Sequence, residues 1–185
     1  MTIADPEVQL LAALADGLKG EYQTEEDLSW SLSPFGWIRG QPSRRKGAVG
    51  EKLVAGWCAA RDINVLRSPD AEADRIFEGF RTEIKFSTLW ANRSYKFQQI
   101  RNQDYQLLVC LGVSPFAAHA WVFEKEFLLS GTGALAGLSH QHGGAEGRDT
   151  AWLTVSPAEV HPWMDDFGGN LGTAMRRLRT LVGLR

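Results

Sequence analysis

The chain has 185 residues, 44% of them hydrophobic, with seven tryptophans and a formal charge of −2. That composition excludes a disordered chain and fits one domain large enough to bury its own core. A slightly acidic balance argues against a general nucleic-acid coat and leaves only local patches for such a role. No apolar run approaches membrane-spanning length and the start MTIADPEV lacks a signal-peptide layout, so a cytoplasmic location is expected.

In chain order, Asp5-Pro6 opens a helix, with an acid to cap it and proline at its first position. Val8, Leu10, Leu11 and Leu14 supply its apolar stripe, and the end is expected near Gly17 to Gly20. Residues 21–41 run from the acids Glu25, Glu26 and Asp27 to the aromatics Trp30, Phe35 and Trp37. A short helix and a loop packed on the domain fit that pattern, so residues up to about 42 form an N-terminal helical extension of a single domain spanning 1–185.

Arg44, Arg45 and Lys46 stand just before a second helix, predicted from Gly47 to Cys58. Its stripe is Val49, Leu53, Val54, Trp57 and Cys58. Glu51 lies off the centre of that stripe, either as a solvated first-turn acid or as a carboxylate reaching across to a neighbouring site. Arg61 to Leu66 reads as a strand leading into the turn signal Ser68-Pro69-Asp70.

Residues 73–85, ADRIFEGFRTEIK, carry the most information. A two-residue turn at Glu78-Gly79 pairs Phe77 with Phe80, Ile76 with Arg81 and Asp74 with Glu83. Cross-strand Cβ atoms lie about 4.5–5.5 Å apart, close enough for two carboxylates to grip one hard cation. Period-two alternation puts Lys85 beside Glu83 and turns Phe77, Phe80, Ile84 and Phe86 to the opposite, core face. An Asp, a Glu and a Lys on a strand face also make an ordinary surface ion-pair ladder, so context decides. Part of that context is basic: Arg93, Lys96 and Arg101 follow the hairpin as Arg44, Arg45 and Lys46 precede it. Each can simply solvate a loop, but together they outline a phosphate-lined groove.

Phe97 to Gln103 is expected to form a short helix. Gln98, Gln99, Arg101 and Gln103 are then either its wet face or amides and a guanidinium set against DNA. Strands follow at Tyr105–Val113 and Ala118–Phe123. Residues 130–150 hold six glycines together with His140, His142 and Arg148. No cysteine or third histidine stands near enough for a closed zinc site, and Gly131 to Ala136 lacks the βαβ context of a dinucleotide site. A substrate-covering loop and a plain connection both fit. Trp152 to Val155 reads as the last strand and Leu171 to Leu184 as a terminal helix. Cys58 and Cys110 read as buried small hydrophobes.

The set Glu51, Asp74 and Glu83-Ile84-Lys85 resembles the PD-(D/E)XK nuclease superfamily, which includes many type II restriction endonucleases, junction resolvases and repair nucleases. The resemblance spans residues 44–125 and combines order, spacing and hydrophobic context. It implies an α/β, restriction-endonuclease-like fold with a mixed β-sheet flanked by helices. It implies Asp74 and Glu83 as metal ligands with Glu51 as an extra carboxylate, Lys85 holding or activating the attacking water, and Mg²⁺ as cofactor with Mn²⁺ as its substitute. No organic cofactor is expected. Pro69-Asp70 is a literal PD, so Asp70 is the competing ligand; Asp74 is preferred because it begins the strand that pairs with Glu83. DNA is the expected partner, and cutting both strands is simplest for a homodimer. A type II restriction enzyme is the first expectation, a repair or junction-resolving nuclease the second, and a noncatalytic DNA-binding protein on the same scaffold the third.

Overall fold

The computed structural model describes residues 4–129, 138–140 and 151–184. Helix α1, Pro6–Tyr22, is capped by Asp5, whose carboxylate accepts the Glu7 N–H at 2.9 Å. It runs through Gly17 and Gly20 and does not stop at them, and none of its residues is buried. The expected apolar stripe therefore packs on no core: Leu11 is 64% exposed and Leu14 57%. Helix α2, Glu25–Leu32, starts at a capping box between Thr24 and Asp27, and the short α3, Gly36–Arg39, follows. Arg39 ties them together, pairing with Asp27 at 3.1 Å and lying over the Trp30 ring.

Helix α4, Ser43–Ala59, begins earlier than expected, so Arg44, Arg45 and Lys46 lie inside its first turn and not ahead of it. Val54 and Cys58 are buried with Gly50, while Leu53 and Trp57 are half-buried, as a single apolar stripe requires. Then come β1 (Val65–Arg67), β2 (Arg75–Phe77), β3 (Phe80–Thr88), β4 (Tyr95–Ile100), β5 (Leu107–Val113) and β6 (Ala118–Glu124). The rest is α5 (Lys125–Leu129), β7 (Leu138–His140), β8 (Ala151–Val155), a 3₁₀ turn at Pro162–Phe167, β9 (Gly168–Asn170) and α6 (Leu171–Leu181).

The fold is mixed α/β. Six strands form the main sheet in the order β1-β2-β3-β5-β6-β9, with β3 and β5 parallel and the other neighbours antiparallel. Every residue of the central strand β5 is buried, which accounts for its unbroken apolar sequence. Helices α4 and α6 cover one face through Val54, Cys58, Ala174, Met175 and Leu178, packed against Phe77, Ile84, Val109 and Val122. The other face meets a second, three-stranded sheet, β4-β8-β7, which contributes Tyr95, Phe97, Leu153 and Val155 against Leu108, Cys110, Trp121 and Phe123.

Two expectations are corrected by that second sheet. Phe97 to Ile100 lies in a strand and not a helix, because Tyr95 and Phe97 alternate inward and the backbone pairs with β8. Trp152 to Val155 belongs to the small sheet, and β9 follows it in the main one.

The Glu78-Gly79 turn forms as expected. Both residues have positive φ, 48° and 91°, as a two-residue hairpin turn of the primed type demands. The ladder pairs Phe77 with Phe80, Ile76 with Arg81 and Arg75 with Thr82.

Candidate active site

Strand β2 begins at Arg75, opposite Thr82, and the residue before it bonds the same partner. The Asp74 N–H donates at 3.1 Å to the carbonyl of Thr82, the residue already opposite Arg75, so the regular register stops there and Asp74 is not itself paired with Glu83, although its carboxylate lies close enough to act on the Glu83 carboxyl. One Asp74 carboxylate oxygen accepts the Ile84 N–H at 2.7 Å. A side chain thus occupies the edge of β3 where the next strand residue would otherwise bond. Glu83 is only 6% exposed and accepts a hydrogen bond from the Lys85 ammonium at 2.6 Å.

Glu51, Asp74, Glu83 and Lys85 all line one cleft of about 760 Å³. Glu51 reaches it from the middle of α4, half-buried, so it is not the solvated first-turn acid of the alternative reading. Its carboxylate lies 3.4 Å from the Arg75 guanidinium, and Arg75 also donates to the Asp74 carbonyl at 2.6 Å. Arg75 thereby braces two of the acids. It was hidden in sequence, where its alternation merely marks a strand residue facing away from Ile76.

Phe77 and Ile84 do point into the core, with Phe80 and Phe86 partly buried beside them. The opposite face is not simply open, however. The second sheet covers much of it, and burial pushes the Glu83 carboxyl above its usual range; Lys85 opposes that rise and Asp74 adds to it. Burial, then Asp74, likewise raises Glu51, against the pull of Arg75 and Lys85. The cluster is thus a group of carboxylates held close together at an energetic cost, the condition under which a divalent cation binds favourably.

The residues present fit Mg²⁺ in a limited sense. Among the described residues no group of three or more His, Cys, Asp or Glu side chains is arranged to hold a metal alone. Mg²⁺ commonly uses one or two carboxylates and retains waters for the rest of its shell, so Asp74 and Glu83 would be its protein donors, with Glu51 lining the same cleft.

The cleft walls carry Arg39, Arg44, Lys46 and Lys96, together with Gln98, Gln99, Ser87 and Trp90. Of the sequence-predicted basic residues, Arg45, Arg93 and Arg101 are exposed and do not line it. Arg93 sits in the turn before β4 with φ 58°, and the Arg101 carbonyl accepts the Tyr105 hydroxyl. Gln103 bonds the Ala71 carbonyl at 3.2 Å instead of facing the cleft. Arg39 and Trp90 were not singled out in sequence, since nothing local marks a residue that reaches a site through tertiary packing.

Asp70 is placed elsewhere. Arg81 grips its carboxylate at 2.5 Å and holds its pKa below the usual range, and Glu72 donates a backbone N–H to it. It lines a shallower depression with Glu51 and Asp74, away from Glu83 and Lys85. Both cysteines are buried and unpaired, and burial drives the Cys58 thiol up to about 12, so neither is a reactive thiolate. His140 lies in β7 opposite Ala151. His142, Arg148 and Gly131 to Ala136 lie outside the described residues. Among the described residues no helix is long and apolar enough to cross a membrane.

In comparison with known proteins, the chain matches no family model and no curated protein.

Proposed function

We propose that the chain is a Mg²⁺-dependent DNA endonuclease of the PD-(D/E)XK kind, built on a restriction-endonuclease-like core, with Mn²⁺ able to replace Mg²⁺. The observation that carries this reading is the junction of Asp74, Glu83 and Lys85 at the β3 edge: Asp74 on the Ile84 N–H, Lys85 on Glu83, all lining one cleft. Asp74 and Glu83 hold the cation, and Glu51 extends the carboxylate set. When bound, Mg²⁺ supplies Lewis acidity toward water and toward the scissile phosphate. Lys85 orients the attacking water and places a positive charge where negative charge grows on the phosphate.

The cleft walls support a phosphate-bearing substrate. Five cations line it, Arg39, Arg44, Lys46, Lys85 and Lys96, against the three carboxylates Glu51, Asp74 and Glu83. The first turn of α4 carries no acid and no side-chain cap, so its backbone N–H groups and basic side chains both favour an anion there. Restriction of duplex DNA by a homodimer is one form of this activity. A repair or junction-resolving nuclease is the second, and the exposed Trp90 on the cleft wall favours it.

Purified protein incubated with plasmid and with labelled duplex, single-stranded and branched DNA tests the proposal. Cleavage should need Mg²⁺ and stop in excess chelator, and Ca²⁺ should support binding better than cutting, since its larger, looser shell does not enforce attack geometry. Lys85→Ala should lower turnover by roughly 10²–10³-fold while DNA binding is largely kept, the pattern of a group that acts mainly in the transition state. Equal cutting in excess chelator would refute the metal-dependent mechanism.

A further inference from the structure

We infer that the cleft binds an unpaired nucleobase stacked on Trp90, so that its substrate presents single-stranded or splayed-out nucleotides and not an uninterrupted duplex. The inference rests on the nucleic-acid reading of the cleft and deepens it.

Trp90 lies in the connection between β3 and β4, which joins the two sheets, and lines the same cleft as Glu83 and Lys85. It is 44% exposed, while Trp30 and Trp121 are at 3% and 0%. An indole is a large apolar surface to leave in water. Its backbone is also held in place. The Trp90 backbone N–H donates to the Ser94 carbonyl at 2.9 Å, its backbone carbonyl accepts the Arg93 N–H at 2.8 Å, and the Lys96 ammonium sits 4.1 Å from the ring centroid. A half-exposed ring on a hydrogen-bonded turn, with a cation at one face, is a platform on which stacking needs little reordering of the backbone.

The chemistry that fits such a platform is a flat π-face beside a phosphate. In an uninterrupted duplex the base faces are stacked on one another, leaving only edges and backbone at the surface; an unpaired base offers its face. Lys46 and Arg44 stand in the cleft for the backbone that such a base brings with it.

The neighbouring strand adds groups for a base edge. Regular strand residues point alternately to opposite faces, yet Gln98 and Gln99 both line the cleft. The cause is an irregularity in the β4–β8 register between Phe97 and Ile100, where Gln99 adopts φ 57°. Such a bulge re-aims side chains, here setting two carboxamides next to one another where a single strand residue would face the cleft. Carboxamides donate and accept together, as base edges do.

Binding measured by fluorescence anisotropy, with Ca²⁺ present to suppress cutting, tests the inference on three probes: a single-stranded oligonucleotide, the same strand carrying abasic sites, and its blunt duplex. Wild-type protein should prefer the intact single strand. Trp90→Ala should weaken that binding about 5- to 150-fold, the equivalent of 1–3 kcal/mol of stacking, and leave the abasic strand's affinity unchanged. Trp90→Phe should keep most of the affinity, and Lys46→Ala, a phosphate contact, should weaken both single strands alike. Tightest binding to the blunt duplex, or a Trp90→Ala variant that loses intact and abasic strands equally or neither, would overturn the inference. The nuclease reading fails separately: a protein that stacks bases on Trp90 but cuts no DNA in Mg²⁺ removes the nuclease and keeps the platform, while a duplex cutter indifferent to Trp90→Ala does the reverse.

Discussion

Glu83 concentrates the tension of the site in one side chain. It is buried beside Asp74, and Lys85 only partly offsets the cost of its charge. Because its folded pKa lies above the unfolded carboxylate value, the folded protein holds a proton that the unfolded chain has released across the window between them. Stability therefore falls as pH rises through that window and is greater below it. In chelator, the thermal midpoint of the wild type should drop as pH is raised from the unfolded carboxylate range toward neutrality, and Mg²⁺ should restore part of the loss by binding only the folded, ionised form. Glu83→Gln should flatten this dependence and melt higher than wild type at neutral pH, the two converging in acid; calorimetry across the pH series checks it, and a Glu83→Gln variant that melts lower at neutral pH would contradict it. The nearness of Asp74 to Glu83 was legible because Glu78-Gly79 fixes the register as far as Arg75 and Thr82, and the two acids are the next residues along; that Asp74 leaves the ladder there and bonds Thr82 was not. Arg75 was not, because its partners Glu51 and the Asp74 carbonyl meet only after α4 docks on the sheet.

At the scale of elements, the site depends on how closely α4 approaches β3. A Cβ added at Gly50 would fall 2.2 Å from the Phe86 Cβ, so only glycine permits the contact that brings the next residue, Glu51, to the cleft. Gly50→Ala should destabilise the fold by about 1–3 kcal/mol, the usual cost of overpacking, and reduce cleavage by shifting Glu51. Gly56 lies on the same helix with nothing within 4 Å of such a Cβ. Gly56→Ala should therefore stabilise by about 0.4–1 kcal/mol through the unfolded chain. Urea denaturation of both variants checks the contrast, and similar effects at the two positions would contradict it. Helix α4 was readable from its stripe, though not its true start, since Pro42 marks the boundary without a side-chain cap. Strand β4 was misread because Phe97 and Ile100 are three apart and the intervening glutamines favour helices. The bulge that creates this spacing becomes visible only through pairing with β8.

For the whole molecule, the sequence conveyed an α/β core but not the second sheet. Its strands are distant in the chain, and long-range pairing leaves no periodic signal in any one segment. The helix-sheet-sheet layering places the cleft where the β3–β4 connection passes from one sheet to the other, between the first turns of α4 and the bulge of β4. The described residues of one chain form one cleft lined by Asp74, Glu83 and Lys85, so cutting both strands of a duplex calls for two copies, whereas trimming an unpaired strand calls for one. Light scattering with and without DNA decides between them. A twofold mass on DNA is expected if the protein acts as a homodimer, and a strict monomer that still breaks both strands would contradict that expectation.

The most direct test of the central claim is Mg²⁺-dependent cleavage by wild type and by folded Glu83→Ala protein, side by side on the same set of DNA substrates. Wild type is predicted to cut at least one of them in Mg²⁺, and Glu83→Ala to cut none while its circular dichroism matches wild type. A Glu83→Ala protein with undiminished cleavage would contradict the account.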